Sequence, residues 1–331
     1  MSDSAPPETL LEVRDLRVAF TGRARTVYAV NGVDFTLAAG ETLGIVGESG
    51  CGKSTMLRTL VGLYEPKTTV CTGSIRYSGT ELLGVNESSM RRVRGAEISM
   101  IFQDPMSYLN PVLKISEQIG ETLQRHTSLN RRERRGRTIE LLRLVGISAP
   151  EHRLKQYPHE LSGGMRQRVI IAIALACEPR ILLADEPTTA LDVSIQDQIL
   201  RLLADLRRRL GMSMVIVSHD LGVIAQTCDR VMVMYGGELV ELAPVRQLVR
   251  TPHHPYTAGL LRSLPGSVPS RYLHAISGMP PRLHSRPRVC SFRARCELAT
   301  EACESWETSL LEVEPGHAVR CLNHDRVRID D

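Results

Sequence analysis

No run in this 331-residue sequence stays apolar for the roughly 20 residues that a membrane-spanning helix needs. The longer apolar stretches, such as residues 169–176, stop far short of that. Net charge is equally scarce, a formal +4 over the whole chain, which gives no support to a nucleic-acid binder steered by a strongly positive field. The first twelve residues carry Asp3, Pro6, Pro7 and Glu8 and no basic segment leading into an apolar one. A secretory signal is therefore not expected, and the protein is expected to stay in the cytoplasm. Internal repeats, long low-complexity runs and sustained heptads are missing too. In a reducing compartment the eight cysteines are not read as a disulfide framework.

What is present is enough apolar material, 42% of residues, for one large core domain with a smaller attachment. Residues 10–20 and 33–37 alternate in part, and Gly22, Asn31-Gly32 and Ala39-Gly40 punctuate them as turns, so the chain is expected to open with short strands. Residues 42–46 read as a buried strand, and residues 53–63 as a helix with Met56, Leu57, Leu60 and Val61 on one side. A region from about 106 to 164 has helical apolar spacing at 115–123 and 138–145. Strand and helix alternation then returns, with residues 181–184 and 214–217 suited to central parallel strands and 196–210 to an amphipathic helix between them. The pattern predicts an α/β core interrupted by a helical insertion. From Thr251 on, prolines 252, 255, 265, 269, 280, 281 and 287 break up any long element, as in an appended region.

Between the strand at 42–46 and the helix at 53–63 lies Gly47-Glu48-Ser49-Gly50-Cys51-Gly52-Lys53-Ser54. A glycine, four residues and Gly-Lys-Ser between a strand and a helix form a phosphate-cradling loop. Its backbone N–H groups turn inward on phosphate oxygens, Lys53 reaches the β- and γ-phosphates of ATP, and the Ser54 hydroxyl ligates Mg²⁺, with Ser49, Gly50, Cys51, Gly52 and Thr55 around them. A glycine-rich turn without a ligand is the plain alternative. Residues 181–186, Ile-Leu-Leu-Ala-Asp-Glu, end a strand on two acids. Asp185 is expected in the Mg²⁺ shell, and Glu186 as the general base that polarises the attacking water. Leu161-Ser162-Gly163-Gly164-Met165-Arg166-Gln167-Arg168 opens a helix whose start is an anion site or a simple cap by Ser162.

These motifs together resemble the ATPase subunit of an ATP-binding cassette transporter over roughly residues 10–242. The resemblance implies a P-loop NTPase (RecA-like) core with an antiparallel β subdomain, an inserted helical subdomain and a C-terminal cysteine-containing extension, the cassette covering 1–250 and the extension 251–331. It also implies that Ser162, Gly163 and Gly164 of one subunit close over the nucleotide of a homologous second ATPase subunit. Gln103, in Ile101-Phe102-Gln103-Asp104-Pro105, resembles the glutamine that senses Mg²⁺ and the attacking water and connects to the membrane subunits. Asp192, in Ala190-Leu191-Asp192, resembles the loop joining two active sites, and His219 the histidine that contacts the γ-phosphate. Phe20 stands where the family has an aromatic residue on adenine, with Tyr28 a second candidate and a core role open for either. Met165 replaces a more frequent Gln without touching the phosphate-facing residues.

Finer features resemble the branch that imports oligopeptides, dipeptides or nickel: Phe102-Gln103-Asp104-Pro105-Met106 with Leu109-Asn110-Pro111, Tyr157-Pro158-His159-Glu160, and above all His254-Pro255-Tyr256-Thr257 with Gly259-Leu260-Leu261 and Ser263-Leu264-Pro265. Tyr108 departs from the small residue often found there. The branch implies two transmembrane permease subunits, an extracytoplasmic substrate-binding protein, a place on the cytoplasmic face of the membrane and no nucleic acid. The cargo stays open between peptides, nickel and glutathione, and a soluble non-transport cassette ATPase is the rival class. Cys290, Cys296, Cys303 and Cys321 suit a [4Fe-4S] cluster, which some relatives of this branch carry, or Zn²⁺, or are ordinary buried thiols. Cys71, Cys177 and Cys228 are isolated and read as core. The arginines at 131, 132, 134, 135 and 137 are a solvated helix face in preference to a lipid-headgroup contact.

Overall fold

The computed structural model describes residues 8–22, 25–103, 108–189, 191–264, 276–281, 283–306 and 309–328. The chain divides into two compact units, Met1–Gly84 with Val217–Asp331, and Val85–Ile216.

The first unit opens with two long antiparallel strands, β1 (Thr9–Thr21) and β2 (Thr26–Ala38), joined by β4 (Thr69–Tyr77) and β5 (Thr80–Glu81) in the order β2-β1-β4-β5. Alternation buries Val33, Phe35 and Leu37 on one face of β2. In β1 a register shift between Val13 and Leu16, with Asp15 at φ 42, returns Leu16 to the buried face. Both strands are longer than the sequence pattern implies. Asn31-Gly32, read as a turn, lies inside β2, where the Asn31 side chain donates to the Tyr28 carbonyl at 3.1 Å and Gly32 takes φ 72.

The same unit holds β3 (Thr42–Val46), entirely buried and parallel to β9 (Arg230–Tyr235), which pairs antiparallel with β10 (Glu238–Pro244). The C-terminal region docks on that sheet. Strand β12 (His317–Val319) pairs with β10 through Glu241↔Val319 and Leu242↔Ala318, and β11 (Leu311–Glu314) pairs with β12. The elements of this region are short: among the described residues its one helix besides 3₁₀ turns is Pro255–Arg262, and Pro265 and Pro269 lie outside the described residues.

That helix explains the His-Pro-Tyr-Thr sequence. His254 is its N-cap, its Nδ1 accepting the Tyr256 N–H at 3.1 Å, and Pro255 occupies the first turn, where a missing N–H costs nothing. Burial pushes the His254 imidazole down to about 4, with Arg320 adding to the effect and Glu241 opposing it. Unfolded, the ring binds a proton as pH falls through about 6.5; folded, it resists until about 4. The unfolded state thus takes up more protons in that window, and folding stability should fall by about 3 kcal/mol between pH 7 and pH 4 from this group alone. Denaturant titrations of wild type and His254→Asn at both pH values check this; an equal acid-induced loss in the variant contradicts it.

In the second unit β6 (Ile98–Ile101) and β7 (Ile181–Asp185) are parallel, and the order is β8-β7-β6 with β8 at Ser213–Val217. The helices are α2 (Glu87–Val93), α3 (Ile115–His126), α4 (Arg131–Leu144), α5 (Pro150–Arg153), α6 (Gly163–Ala174) and α7 (Val193–Leu210). Ile119, Leu123, Leu141, Leu142, Ile170 and Leu203 share one apolar core. The arginine run lies in the first turns of α4, capped by Asn130 and Glu133; Arg131, Arg132 and Arg135 are exposed, while Arg137 pairs with Glu140 and Glu178. It is a solvated helix face in this structure.

Candidate functional site

In the first unit, β3 runs into the loop at 47–52, which opens helix α1 (Lys53–Leu60). Two glycines are required here by space as well as by backbone shape. A Cβ on Gly47 would meet the Met234 carbonyl oxygen at 2.2 Å, and one on Gly52, at φ 104, would meet the Ala29 carbonyl oxygen at 2.2 Å. Ser49 and Gly50 form the exposed crest, and a Cβ on Gly50 would meet nothing within 4 Å. No side chain caps the start of α1 and its first turn carries no acid, so the positive end of the helix faces the loop. Lys53 is 5% exposed and bridges the loop, Nζ donating to the carbonyls of Gly47 at 2.7 Å and Glu48 at 2.9 Å. Burial pushes the Cys51 thiol up, with Lys53 opposing, so this cysteine is a small neutral residue of the cradle. Ser54 and Thr55 are half-buried in the first turn of α1. An uncapped helix start, inward-turned glycines and a fixed ammonium fit a polyphosphate, and Ser54 offers the oxygen that Mg²⁺ favours.

Phe20 is 39% exposed near the end of β1, opposite Val27 and Thr69. Tyr28 is already engaged: its N–H donates to the Leu283 carbonyl at 3.0 Å and the Arg286 guanidinium lies 5.7 Å from its ring centroid. The open aromatic face is thus that of Phe20. His219, also exposed, precedes helix α8 (Leu221–Thr227), whose N-cap Asp220 accepts the N–H groups of Gly222 and Val223.

In the second unit the structure brings Gln103 and Glu186 together. Gln103 Nε2 donates to Glu186 Oε2 at 3.0 Å, and Thr189 Oγ1 donates to the same oxygen at 2.8 Å. Thr189 escapes a reading of the sequence, although its place three residues after Glu186, in a turn closed by its own N–H on the Glu186 carbonyl, is a readable signal. Asp185 is fully buried at the end of β7, and Glu186 follows at φ 46. A glutamate in this left-handed conformation is a costly arrangement of the kind that functional sites retain. Ser162 caps α6, Oγ accepting the Met165 N–H at 3.4 Å, with Gly163 exposed beside it and Gly164 half-buried. The cap reading of Ser162 therefore holds geometrically, and the start of α6 carries no acid. From the same helix Gln167 Nε2 donates to the Pro187 carbonyl at 2.6 Å, one residue beyond Glu186. Asp192 is exposed at the N-cap of α7 without a side-chain cap bond. Ala190 and residues 104–107 lie outside the described residues.

The iron–sulfur reading of Cys290, Cys296, Cys303 and Cys321 is corrected, and with it zinc. All four line one small cavity, with Phe292, Ala299 and Trp306 among its other walls. Among the described residues, however, no group of three or more His, Cys, Asp or Glu side chains could hold a metal ion. Burial pushes the free Cys296 thiol up to about 11 and that of Cys321 up to about 12, and raises Cys290 as well. Thr300 and the Asn323 amide lie against the Cys303 sulfur at 3.5 and 3.6 Å. The four are free thiols, Cys303 and Cys321 buried and Cys290 and Cys296 half-buried. The dipeptide and oligopeptide transport proteins of Bacillus subtilis that the chain resembles are likewise described as ATP-binding proteins, not as iron–sulfur proteins.

The phosphate loop between β3 and α1, and the acidic strand end of β7, define a P-loop ATPase cassette. Residues 30–189 match the family described as ABC transporter, and residues 240–303 the one described as oligopeptide/dipeptide transporter, C-terminal region. The chain is 48% identical, over 99% of its own length and 98% of the relative's, to a probable peptide ABC transporter ATP-binding protein of Sinorhizobium fredii. It is 47% identical to the dipeptide transport ATP-binding protein DppD of Bacillus subtilis, over 96% of this chain and 93% of that one. Among solved structures, the ATP-binding cassette MJ0796, a dimer in a post-hydrolysis state with ADP and Pi, superposes with a TM-score of 0.64 at 30% identity, covering 72% of this chain and 99% of that one. The chain belongs to the ATP-hydrolysing subunits of the ABC transporter family. Among the described residues no helix is long and apolar enough to cross a membrane.

Proposed function

We propose that this chain is the ATPase subunit that energises a peptide importer, peripheral on the cytoplasmic face of the membrane. The observation that carries this reading is the union, in one chain, of the ABC cassette with the oligopeptide/dipeptide C-terminal region, at 48% identity over nearly the full length of a peptide-transport relative. Its partners are a homologous second ATPase subunit, two permease subunits and an extracytoplasmic binding protein for the cargo. The cassette spans about residues 1–250 and the peptide-transporter extension about 251–331. Removing the gene from its host should abolish uptake of labelled di- or oligopeptides and leave uptake of free amino acids intact; unaltered peptide uptake refutes the assignment.

In this reading the backbone N–H groups of residues 49–55 and the Lys53 ammonium hold the phosphates of ATP, and Phe20 stacks on adenine. Ser54, with Gln103 and Asp185, would hold Mg²⁺, whose charge would neutralise the phosphate oxygens. Glu186 takes the proton of the attacking water. The two hydrogen bonds that Gln103 and Thr189 place on its Oε2 fix the plane of that carboxylate. His219 meets the γ-phosphate, Asp192 lies at the junction of the two active sites, and Ser162, Gly163 and Gly164 complete the partner's site. Nucleotide sites shared across two subunits tie turnover to assembly, so hydrolysis by the isolated chain should be slow and concentration-dependent.

Lys53→Ala removes a charged contact to phosphate, worth about 1.5–3 kcal/mol. ATP affinity should fall by about 10- to 150-fold, read by equilibrium titration of the full chain. Unchanged affinity counts against the phosphate loop.

A further inference from the structure

The second residue of the phosphate loop has a partner at each of its polar groups, and its N–H and carboxylate are held from outside the loop. The Glu48 N–H donates to Tyr256 Oη at 2.8 Å, and its carbonyl accepts Lys53 Nζ at 2.9 Å. Its carboxylate receives both arms of Arg295, Nη1 to Oε2 at 2.7 Å and Nη2 to Oε1 at 2.9 Å. Tyr256 and Arg295 both belong to the C-terminal region, more than 200 residues from the loop they grip. Neither is a loosely placed surface group. Tyr256 is fully buried, its ring 4.7 Å from that of Tyr235 and 5.4 Å from that of Phe292, and burial raises its phenol so that it stays protonated. The Arg295 side chain is 6% exposed. Its Nε donates to the Ser277 carbonyl at 2.7 Å, Nη2 to the Ile276 carbonyl at 3.1 Å and Nη1 to Tyr235 Oη at 3.3 Å. A planar guanidinium with a bidentate carboxylate and fixed carbonyls has one orientation, which is the property that separates Arg from Lys in such a position.

We propose that Arg295 and Tyr256 are positioning residues for ATP: through Glu48, the C-terminal region sets the shape of the phosphate loop and thereby its affinity for nucleotide. Glu48 itself does not touch phosphate. Its negative charge beside the cradle would repel a polyphosphate, and the Arg295 fork neutralises that charge and turns it away from the loop's crest. Loss of the fork leaves both an unfixed loop and an uncompensated carboxylate next to the phosphates, and each weakens ATP binding. The inference rests on the reading of residues 47–54 as the phosphate loop.

The test is an equilibrium titration of the purified full chain with a fluorescent ATP analogue, displaced by ATP, alongside thermal melting. Arg295→Met should weaken ATP about tenfold, the size of one charge-assisted interaction, and Arg295→Lys should recover part of the loss. Glu48→Gln, which removes the charge and the bidentate acceptor together, should weaken ATP less than Arg295→Met. Arg295→Met in the Glu48→Gln background should then add no more than about a twofold further loss, because the two residues act as one unit. Losses that multiply in the double variant overturn the proposal. So does a lower melting temperature with unaltered ATP affinity, the signature of a merely structural contact. If Arg295→Met does not fold, Tyr256→Phe decides: it keeps the buried ring and removes only the acceptor of the Glu48 N–H, and an affinity equal to wild type overturns the proposal. Lys53→Ala separates the two levels. If it too leaves ATP affinity intact, the phosphate loop is wrong; if it abolishes binding while the Arg295 variants bind normally, only the role of the C-terminal region is wrong.

Discussion

Replacing Glu186 by Gln should lower ATP turnover by about 10²- to 10⁴-fold, the usual contribution of a general base, while ATP affinity stays within a few-fold of wild type. The substitution is nearly isosteric. The introduced amide can still accept from Gln103 Nε2 and Thr189 Oγ1 through its one carbonyl oxygen, so the two hydrogen bonds that orient the side chain survive. The backbone at φ 46 is equally open to either residue type. What disappears is the ability to take a proton from water. Single-turnover release of phosphate from the full chain, with ATP binding measured in parallel, separates the two effects. Turnover within about threefold of wild type removes Glu186 from its role as general base. A parallel collapse of ATP affinity shows instead that the side chain acts in binding.

The sequence makes the local chemistry readable and leaves the long-range contacts hidden, for physical reasons. A strand, a glycine loop and a lysine at a helix start must lie together because they are consecutive, and the structure has them as expected at 42–60. The acids at 185–186 follow from the same locality. Gln103, 83 residues from Glu186, is identified by resemblance alone, and the hydrogen bond between them appears only in the folded chain. Asn31-Gly32 misleads because a turn-forming pair can equally make an irregularity within a strand, and the pairing partners that decide between the two are distant in sequence. The four C-terminal cysteines mislead in a different way. Convergence of thiols on one cavity is foreseeable from their number, but metal binding depends on their geometry, and among the described residues no group of three or more could hold an ion. His254-Pro255-Tyr256-Thr257 is legible as a mark of a family branch. Its physical content, a helix cap joined to a grip on Glu48, is not.

Glu241→Ala is expected to destabilise the protein by about 3–5 kcal/mol. Glu241 is fully buried on β10 and serves three groups at once. One carboxylate oxygen lies 2.7 Å from His317 Nε2 and accepts the His253 N–H at 2.6 Å; the other accepts the His254 N–H at 3.1 Å. His317 is also fully buried, so its ring finds no water when the carboxylate is removed. Each orphaned buried donor costs about 1–3 kcal/mol, which is why the whole exceeds the loss of an ordinary contact. Glu241→Gln, which keeps the volume and one acceptor oxygen, should lose about half as much. Denaturant unfolding with slopes compared between variants gives the figure, and a loss below about 1 kcal/mol for Glu241→Ala is incompatible with a three-way buried acceptor. The position of the damage matters as much as its size. Glu241 ties β10 to β12 and, through the His254 N–H, to the capped start of the helix that carries Tyr256. If the C-terminal region does set the phosphate loop through Tyr256 and Arg295, folded Glu241→Ala protein should bind ATP more weakly than wild type, although residue 241 lies outside the nucleotide site.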